Sequence, residues 1–585
     1  MNTRRLMQVC MCGIIAAWLA PRAAAQAHVP SKVEIAWNRY YDYPEFEAHM
    51  KAIAEAYPNL VELRNVGKSR EGRDLWILIV HPKGDVPHDA KPGMWIDGNV
   101  HGNEIQAGEA VLYTLWYLTK SYGQVPDLTK LMDNYTFYLM PSVNPDGRQA
   151  WFDEVQTSSS SRASRRPVDS DRDGLIDEDG PDDLDGDGSI TQMWKRDPEG
   201  QWIRDPVDPR VFRRVTHPQK GEWTLLGQEG IDNDGDGRIN EDGPGGDDMN
   251  RNWPSGWLPE YAQGGAGPYP FESPETKVVG DFILAHPNIA AGQSYHNSGG
   301  MILRGPGAQF RESFYPGEDI RVYDEIANNG AIMLPYYRSM VIWRDLYTVH
   351  GGFVNWIAEG LGVVSFTNEL WTPAKYFQRD ISSPDDDQRR LWRDYMVFGQ
   401  DFTPYTEIDH PQHGRILVGG PNKWSSRNTP LFLLEEECHR NFAFTMYHAD
   451  QMPVLQFGMI DVEPAGENVW VVTAAVENTR LIPTRTGVAR RNNIGGNDIM
   501  YCEPGDGVSV LAAGTVSSRR DKQMNVERHE PGRMQVPGGI GSRGRELFRW
   551  IVEGPEGATM TLRYQAEKAK DIETTVELRA TEPRP

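Results

Sequence analysis

From Tyr40 to Gly67, "YYDYPEFEAHMKAIAEAYPNLVELRNVG", apolar residues first recur at helical spacing and then alternate. This predicts an amphipathic helix leading into a strand, and "SREGRDLWILIVHP" predicts a turn and a second strand. Short apolar runs follow ("GMWIDGNV", "YTFYLMPSVNP", "NIAAGQSYHN", "LGVVSFTNEL"), separated by helical patterns such as "NEIQAGEAVLYTLWYL" and "SPETKVVGDFILAHP". The succession predicts an α/β fold with a mixed, largely parallel sheet flanked by helices, spanning residues 31–453. From Val454 to the end at 585 the pattern changes to short alternating strands between Gly and Pro, "NVWVVTAAVENT", "LFRWIVEGP", "ATMTLRYQAE" and "IETTVELRA". That texture predicts a C-terminal β-sandwich, an accessory module whose residues suggest no chemistry.

Two segments break the pattern. Residues 1–25 carry Arg4 and Arg5, an apolar stretch and the small-residue site Ala23-Ala24-Ala25, the layout of a cleaved signal peptide. The apolar stretch is shorter than the roughly 20 residues a membrane span needs, so the expectation is a secreted or periplasmic protein without stable membrane insertion. About 150–247 is a polar, Gly- and Asp-rich insertion between "NPDG" and "DMNRNWP".

A chain of 585 residues with 18 Trp is long enough for two or three domains with buried cores. The net charge of -23 argues against a nucleic-acid partner. Without the leader, Cys438 and Cys502 are the only cysteines, either paired or as two free thiols. Two thiols cannot build a structural thiolate site, so any metal must use His and carboxylates.

"DGNVHGNEIQAGE" places His101 and Glu104 where an apolar run gives way to a helical pattern. Alone the motif is loose, since an acid in a first helical turn is favoured by the helix dipole. A catalytic zinc site takes three protein ligands and an open position, and the candidate third ligand is His296 in "GQSYHNSGG".

Together with "NPDG", "DMNRNW", "YTVHGGFVNW" and "SFTNEL", these segments resemble, in order, the zinc carboxypeptidases of the carboxypeptidase A/B type. The resemblance implies that His101, Glu104 and His296 bind Zn²⁺ and that Glu369 is the general base. It further implies that Asn250 and Arg251 grip the carboxylate of a peptide substrate with a free C-terminus, and that Tyr347 closes over its last residue. Val354 resembles the residue at the family's specificity-pocket floor, where an apolar side chain would favour an aliphatic or aromatic terminal residue. For the oxyanion the family uses an arginine after a tryptophan; here "QMWKRDPEG" offers Lys195, with Arg196 beside it.

The insertion repeats D-x-D-x-D-G: Asp169, Asp171, Asp173 with Asp177 and Asp179; Asp183, Asp185, Asp187; and Asp232, Asp234, Asp236 with Asn240 and Asp242. Alternating oxygen ligands with Gly at the sixth position suit a structural Ca²⁺, although the Glu at the twelfth position is missing. Two other readings stand beside a carboxypeptidase: a cell-wall peptide hydrolase of the same fold, and a calcium-dependent binding protein on an inactive peptidase scaffold.

Overall fold

The computed structural model describes residues 29–170, 172–379 and 384–581. The leader at 1–25 and Asp171 lie outside the described residues. An eight-stranded sheet organises the first domain, built from β1 (Val61–Lys68), β2 (Asp74–Val80), β3 (Gly93–Gly98), β4 (Thr136–Met140), β5 (Ile289–Asn297), β6 (Met301–Arg304), β7 (Arg338–Val341) and β8 (Val364–Leu370). Its order is β1-β2-β4-β3-β5-β8-β6-β7. The inner strands β4, β3, β5 and β8 run parallel, β2 is antiparallel to β1 and β4, and β6 is antiparallel to β8.

Both faces of this sheet are covered. Leu78 and Val80 pack with Ile96, Ala291 and Phe366 under the helices Ile105–Ser121 and Leu434–Asp450, whereas Ile77 and Ile79 pack with Trp95, Val279 and Trp356 on the other side. Burial on both faces explains why the strands read as nearly continuous apolar runs. A fully buried ion pair, Arg148 Nη2 to Glu109 Oε1 at 2.6 Å, ties the Ile105–Ser121 helix to the helix Pro145–Asp153. Arg148 also donates to the carbonyl of Tyr41. Removing one partner would strand a buried charge.

The insertion is more ordered than its polar composition suggests. Its strands Gln192–Arg196, Trp202–Arg204, Phe212–Arg214 and Trp223–Gln228 join Phe402–His410 and Gly414–Pro421 in a six-stranded sheet. Trp194 stacks on Phe212 at 3.8 Å, and Tyr405 meets Phe212 edge-on. The aromatic side chains give this small sheet a core, with two of its strands supplied by residues far along the chain.

Residues 455–577 form a five-stranded and a four-stranded antiparallel sheet, which share the buried residues Val472, Met500, Phe548, Trp550 and Leu562. This module docks through the Asp319 carboxylate, which accepts from the backbone N–H groups of Gly487 and Val488. Cys438 and Cys502 are buried in different cores as free thiols. Among the described residues no helix is long and apolar enough to cross a membrane.

His448 lies in the core against Phe366, with Gln293 Oε1 3.3 Å from its Nδ1. Burial pushes its imidazole down to about 3, against the pull of the Val364 backbone. Above about pH 6.5 the residue is neutral folded and unfolded, and nothing is lost. As pH falls from about 6.5 towards about 3, the unfolded chain takes up a proton that the fold refuses, and stability declines. Between about pH 7.5 and about pH 5 this should cost about 2 kcal/mol, which His448→Gln should remove. Denaturant titrations of both proteins at the two pH values measure it; equal acid sensitivity would exclude His448 as the cause.

Candidate active site

The parallel strands deliver their C-terminal ends to one edge, the usual place for a site in such a sheet. His296 and Glu369 are the penultimate residues of β5 and β8 and stand opposite each other in the ladder. β3 lies on the other side of β5, and the loop after it carries His101 and Glu104 to the start of the Ile105–Ser121 helix. Gly102 makes that turn possible, since a Cβ there would sit 2.4 Å from the Gly147 carbonyl carbon and the Ser161 oxygen.

Three donor atoms converge. His101 Nδ1 is 2.9 Å from Glu104 Oε1, His296 Nδ1 is 2.9 Å from Glu104 Oε2, and the two Nδ1 atoms are 3.1 Å apart. All three residues are buried. Two imidazole nitrogens and a carboxylate facing one point are a donor set for a small dication, and neutral His ligands with one carboxylate suit zinc. On the far side of its ring, His101 Nε2 donates to Asp248 Oδ1 at 2.9 Å, which leaves Nδ1 unprotonated and able to bind a metal. Although burial opposes it, His101, Arg251 and Arg162 hold Asp248 well below the usual carboxylate range.

Glu369 has the opposite balance. Burial and the neighbouring Glu104 carboxylate push it up to about 7, more than His296, Arg162 and Arg427 pull it down. Positive charge placed among the three donors would lower that value.

Asn250 and Arg251 occupy a short turn at the rim of the cluster. Asn250 accepts from the Phe353 N–H at 2.8 Å, and its side-chain amide lies 3.4 Å from His296 Nε2. Arg251 is largely buried, donates to the Asn250 carbonyl at 2.9 Å and stands 3.8 Å from Asp248. Tyr347 is half-exposed at the end of the segment Ile342–Leu346. Val354 is buried in an apolar cluster with Met301, Leu303, Ile342 and Val349.

The structure corrects one expectation and adds residues. Lys195 and Arg196 lie on the insertion sheet with exposed side chains, Lys195 paired in register with Thr224 and Arg196 4.0 Å from Glu222. Among the described residues neither forms a hydrogen bond or ion pair with the cluster. The cation at the cluster is Arg162, which donates to Glu104 Oε1 at 3.0 Å and to Asp248 Oδ2 at 3.1 Å, with Glu369 and Tyr347 also within its electrostatic reach. Arg427 adds a second charge 3.7 Å from Glu104. Arg162 sits in the Ser-rich "SSSSRASRR", where no local pattern marks it. It arrives because the Gly102 and Asn103 N–H groups donate to the carbonyls of Arg162 and Ser161.

Of the acidic repeats, Asp232, Asp234 and Asp236 group together, as do Asp183 and Asp185 with Glu229. Asp173 and Asp179 each reach Asp234 across the insertion. Asp169 and Asp187 accept from backbone N–H groups of their own loops, and Asp242 from those of Ser170 and Asp177. The Asn240 side chain donates to the Glu229 carbonyl. Glu178, Glu229 and Glu241 join these groups without having stood out in the repeat pattern.

A family model described as zinc carboxypeptidase matches residues 46–187 and 220–393, more than half of the chain. A second model, a domain of unknown function, matches 454–577. Carboxypeptidase D of Homo sapiens is 36% identical over 108 residues, 18% of this chain and 8% of that protein. Carboxypeptidase M of Mus musculus is 36% identical over 115 residues, 19% of this chain and 25% of that protein. The match thus spans a quarter or less of these relatives' own length. The solved carboxypeptidase A from Helicoverpa armigera is 17% identical, with 71% of this chain and 75% of that one covered at a TM-score of 0.44.

If Asp248 orients His101 for a metal, Asp248→Asn should weaken zinc binding by about 10- to 100-fold. Competition against a chromophoric chelator reads this directly. Unchanged affinity would remove Asp248 from the support of the site.

Proposed function

Because the chain belongs to the zinc carboxypeptidase family, we propose that it hydrolyses the C-terminal peptide bond of peptides with a free terminal carboxylate. His101, Glu104 and His296 would hold the zinc, which when bound supplies Lewis-acid chemistry that acidifies water and polarises a carbonyl. Glu369, opposite His296 in the ladder, takes the proton of the attacking water and passes it to the leaving amine. Arg162 is the donor for the negative charge that develops on the scissile oxygen, in place of Lys195 or Arg196. Asn250 and Arg251 hold the terminal carboxylate, and Tyr347 at the rim covers the terminal residue. The buried cluster around Val354 favours an aliphatic or aromatic side chain there.

The observation that carries this reading is the place of Arg251. Its guanidinium is linked through Asp248 to His101, one donor of the cluster, and the side chain of the adjacent Asn250 reaches His296, another. A cation fixed at that distance from the reacting centre selects substrates whose chain ends there. Calcium is the second metal of this reading, held by the acidic insertion. The leader at 1–25 makes the enzyme an exported one, secreted or periplasmic.

Arg251→Ala should lower kcat/KM by about 100-fold or more on free-acid peptides and far less on their C-terminal amides, at unchanged zinc content. Equal losses on both would end the exopeptidase reading. Release of no amino acid by the unaltered protein, with cleavage of cell-wall peptides, would transfer the function to a cell-wall peptide hydrolase.

Arg162→Ala should reduce kcat by about 100- to 1,000-fold, while Lys195→Ala leaves it within about twofold. The opposite ranking would restore Lys195 as the oxyanion donor.

A further inference from the structure

The insertion leaves and re-enters the first domain as two arms that lie side by side. Residues 162–168 run along 245–248. The Ser164 N–H donates to the Asp247 carbonyl at 2.7 Å, and Arg166 pairs with the Asp247 carboxylate. A Cβ on Gly245 would come within 2.1 Å of the Ser164 oxygen. At the inner end of this clamp Arg162 meets Asp248, so both arms end at the candidate zinc cluster. At the outer end each arm continues into an acidic loop, 169–179 and 232–242.

These two loops brace each other. The Asp242 N–H donates to the Asp179 carbonyl at 3.3 Å; the Asp242 carboxylate accepts from the Ser170 and Asp177 N–H groups, and that of Asp179 from the Asn233 side chain. Between them two triads of carboxylates, Asp173–Glu178–Asp234 and Asp179–Asp234–Glu241, bring their ligand atoms within 4.8 Å of one another and share Asp234.

A separate observation points to what lies between the loops. Both carboxylate oxygens of Glu178 and both of Glu241 are shut off from solvent without a donor from any other described residue, Glu178 lying instead against the Asp242 carboxylate, and the side-chain oxygen of Asn240 likewise lacks a donor. Among the described residues of these two loops every such orphaned side-chain atom is an oxygen, an acceptor without a donor. Burying carboxylates without donors is costly unless a cation takes the donors' place. All-oxygen sets of this kind suit calcium, whereas zinc favours nitrogen and sulfur.

We propose that the paired acidic loops bind calcium between Asp234, Glu178 and Glu241, and that the bound ion locks the two arms carrying Arg162 and Asp248 against the catalytic cluster. This rests on the reading of the insertion as calcium-binding and deepens it, by naming the ligating oxygens and the route to the site. Without the ion, the facing carboxylates repel and drive the loops apart. The separation is passed down the clamp to Asp248 and Arg162, so the calcium ligands act as positioning residues for the zinc cluster.

The test uses the full-length, zinc-loaded protein freed of calcium by gel filtration. Titration with calcium chloride, followed by calorimetry, should show binding, and Glu178→Gln/Glu241→Gln should weaken it by about tenfold or more. The double variant removes like charges from a repelling cluster, so its loops should close without the ion. Calcium should protect the unaltered protein from tryptic cleavage after Arg172 and Arg238 by about tenfold, slow the loss of zinc to a chelator added with calcium in excess, and raise kcat/KM several-fold. Calorimetry, trypsin and zinc release do not depend on peptidase turnover, so they decide this inference even if the protein cleaves no free-acid peptide. Absence of calcium binding, or equal affinity in the double variant, overturns the site. Binding that leaves both trypsin protection and zinc release unchanged overturns the link to the cluster. The same heat from magnesium chloride at equal affinity overturns the choice of calcium.

Discussion

The parallel pairing of β5 with β8 puts His296 opposite Glu369, and much else in the molecule follows from holding that register. A slip of one residue would turn one side chain to the other face of the sheet, separating a candidate metal ligand from a candidate base. The register is secured by burial on both faces, with Phe366 in one core and Ile357 and Val363, from the helix and turn that lead into β8, in the other. Ser365 Oγ donates to the Val354 carbonyl and so ties the strand to the helix that carries Val354. Packing far from the chemistry thereby sets distances within it.

Around that edge, three carboxylates are given different characters by their neighbours. Glu104 touches two imidazoles and Arg162, with Arg427 close by, and Asp248 is surrounded by His101, Arg162 and Arg251. Among the described residues Glu369 has no direct partner of that kind; burial and the neighbouring Glu104 raise its affinity for a proton. Two acids suited to stay ionised and one suited to exchange a proton is the division of labour a hydrolytic site requires. Arg162 is shared by Glu104 and Asp248, so it couples the ligand side of the cluster to the Asn250–Arg251 turn.

The insertion shows how a polar segment acquires structure without a large core. Its sheet is held by a small group of aromatic rings and by strands borrowed from residues 402–421, and its loops by backbone N–H groups turned onto Asp side chains. Gly174, Gly188 and Gly237, each at the sixth position of a repeat, adopt positive φ, which the turn back towards the first Asp demands. The C-terminal module is simpler: two antiparallel sheets close on each other, and its contacts with the first domain include those of Asp319, of Thr486 with Gly362, and of Lys568 with the Pro287 and Ile289 carbonyls.

The sequence by itself determined the strands and helices of the first domain, because an element buried on one or both faces must repeat its apolar residues at the period of its own backbone. It also marked His101, Glu104, His296 and Glu369, since each stands where such a run ends and a polar residue interrupts the pattern. Arg162 and Arg427 carried no such mark. They lie in irregular polar stretches and reach Glu104 through backbone contacts with segments 58 and 130 residues away in sequence. Lys195 and Arg196, expected near the cluster from a local spacing, lie on the insertion sheet for the same reason, since the deciding contacts are long-range. The strands at 402–421 that complete the insertion sheet, and the facing of Glu178 and Glu241 across two distant loops, were likewise decided only by the tertiary structure. Periodicity records how a segment meets a core, whereas polar groups find their partners by charge and hydrogen bonding between segments whose adjacency exists only after the chain has folded.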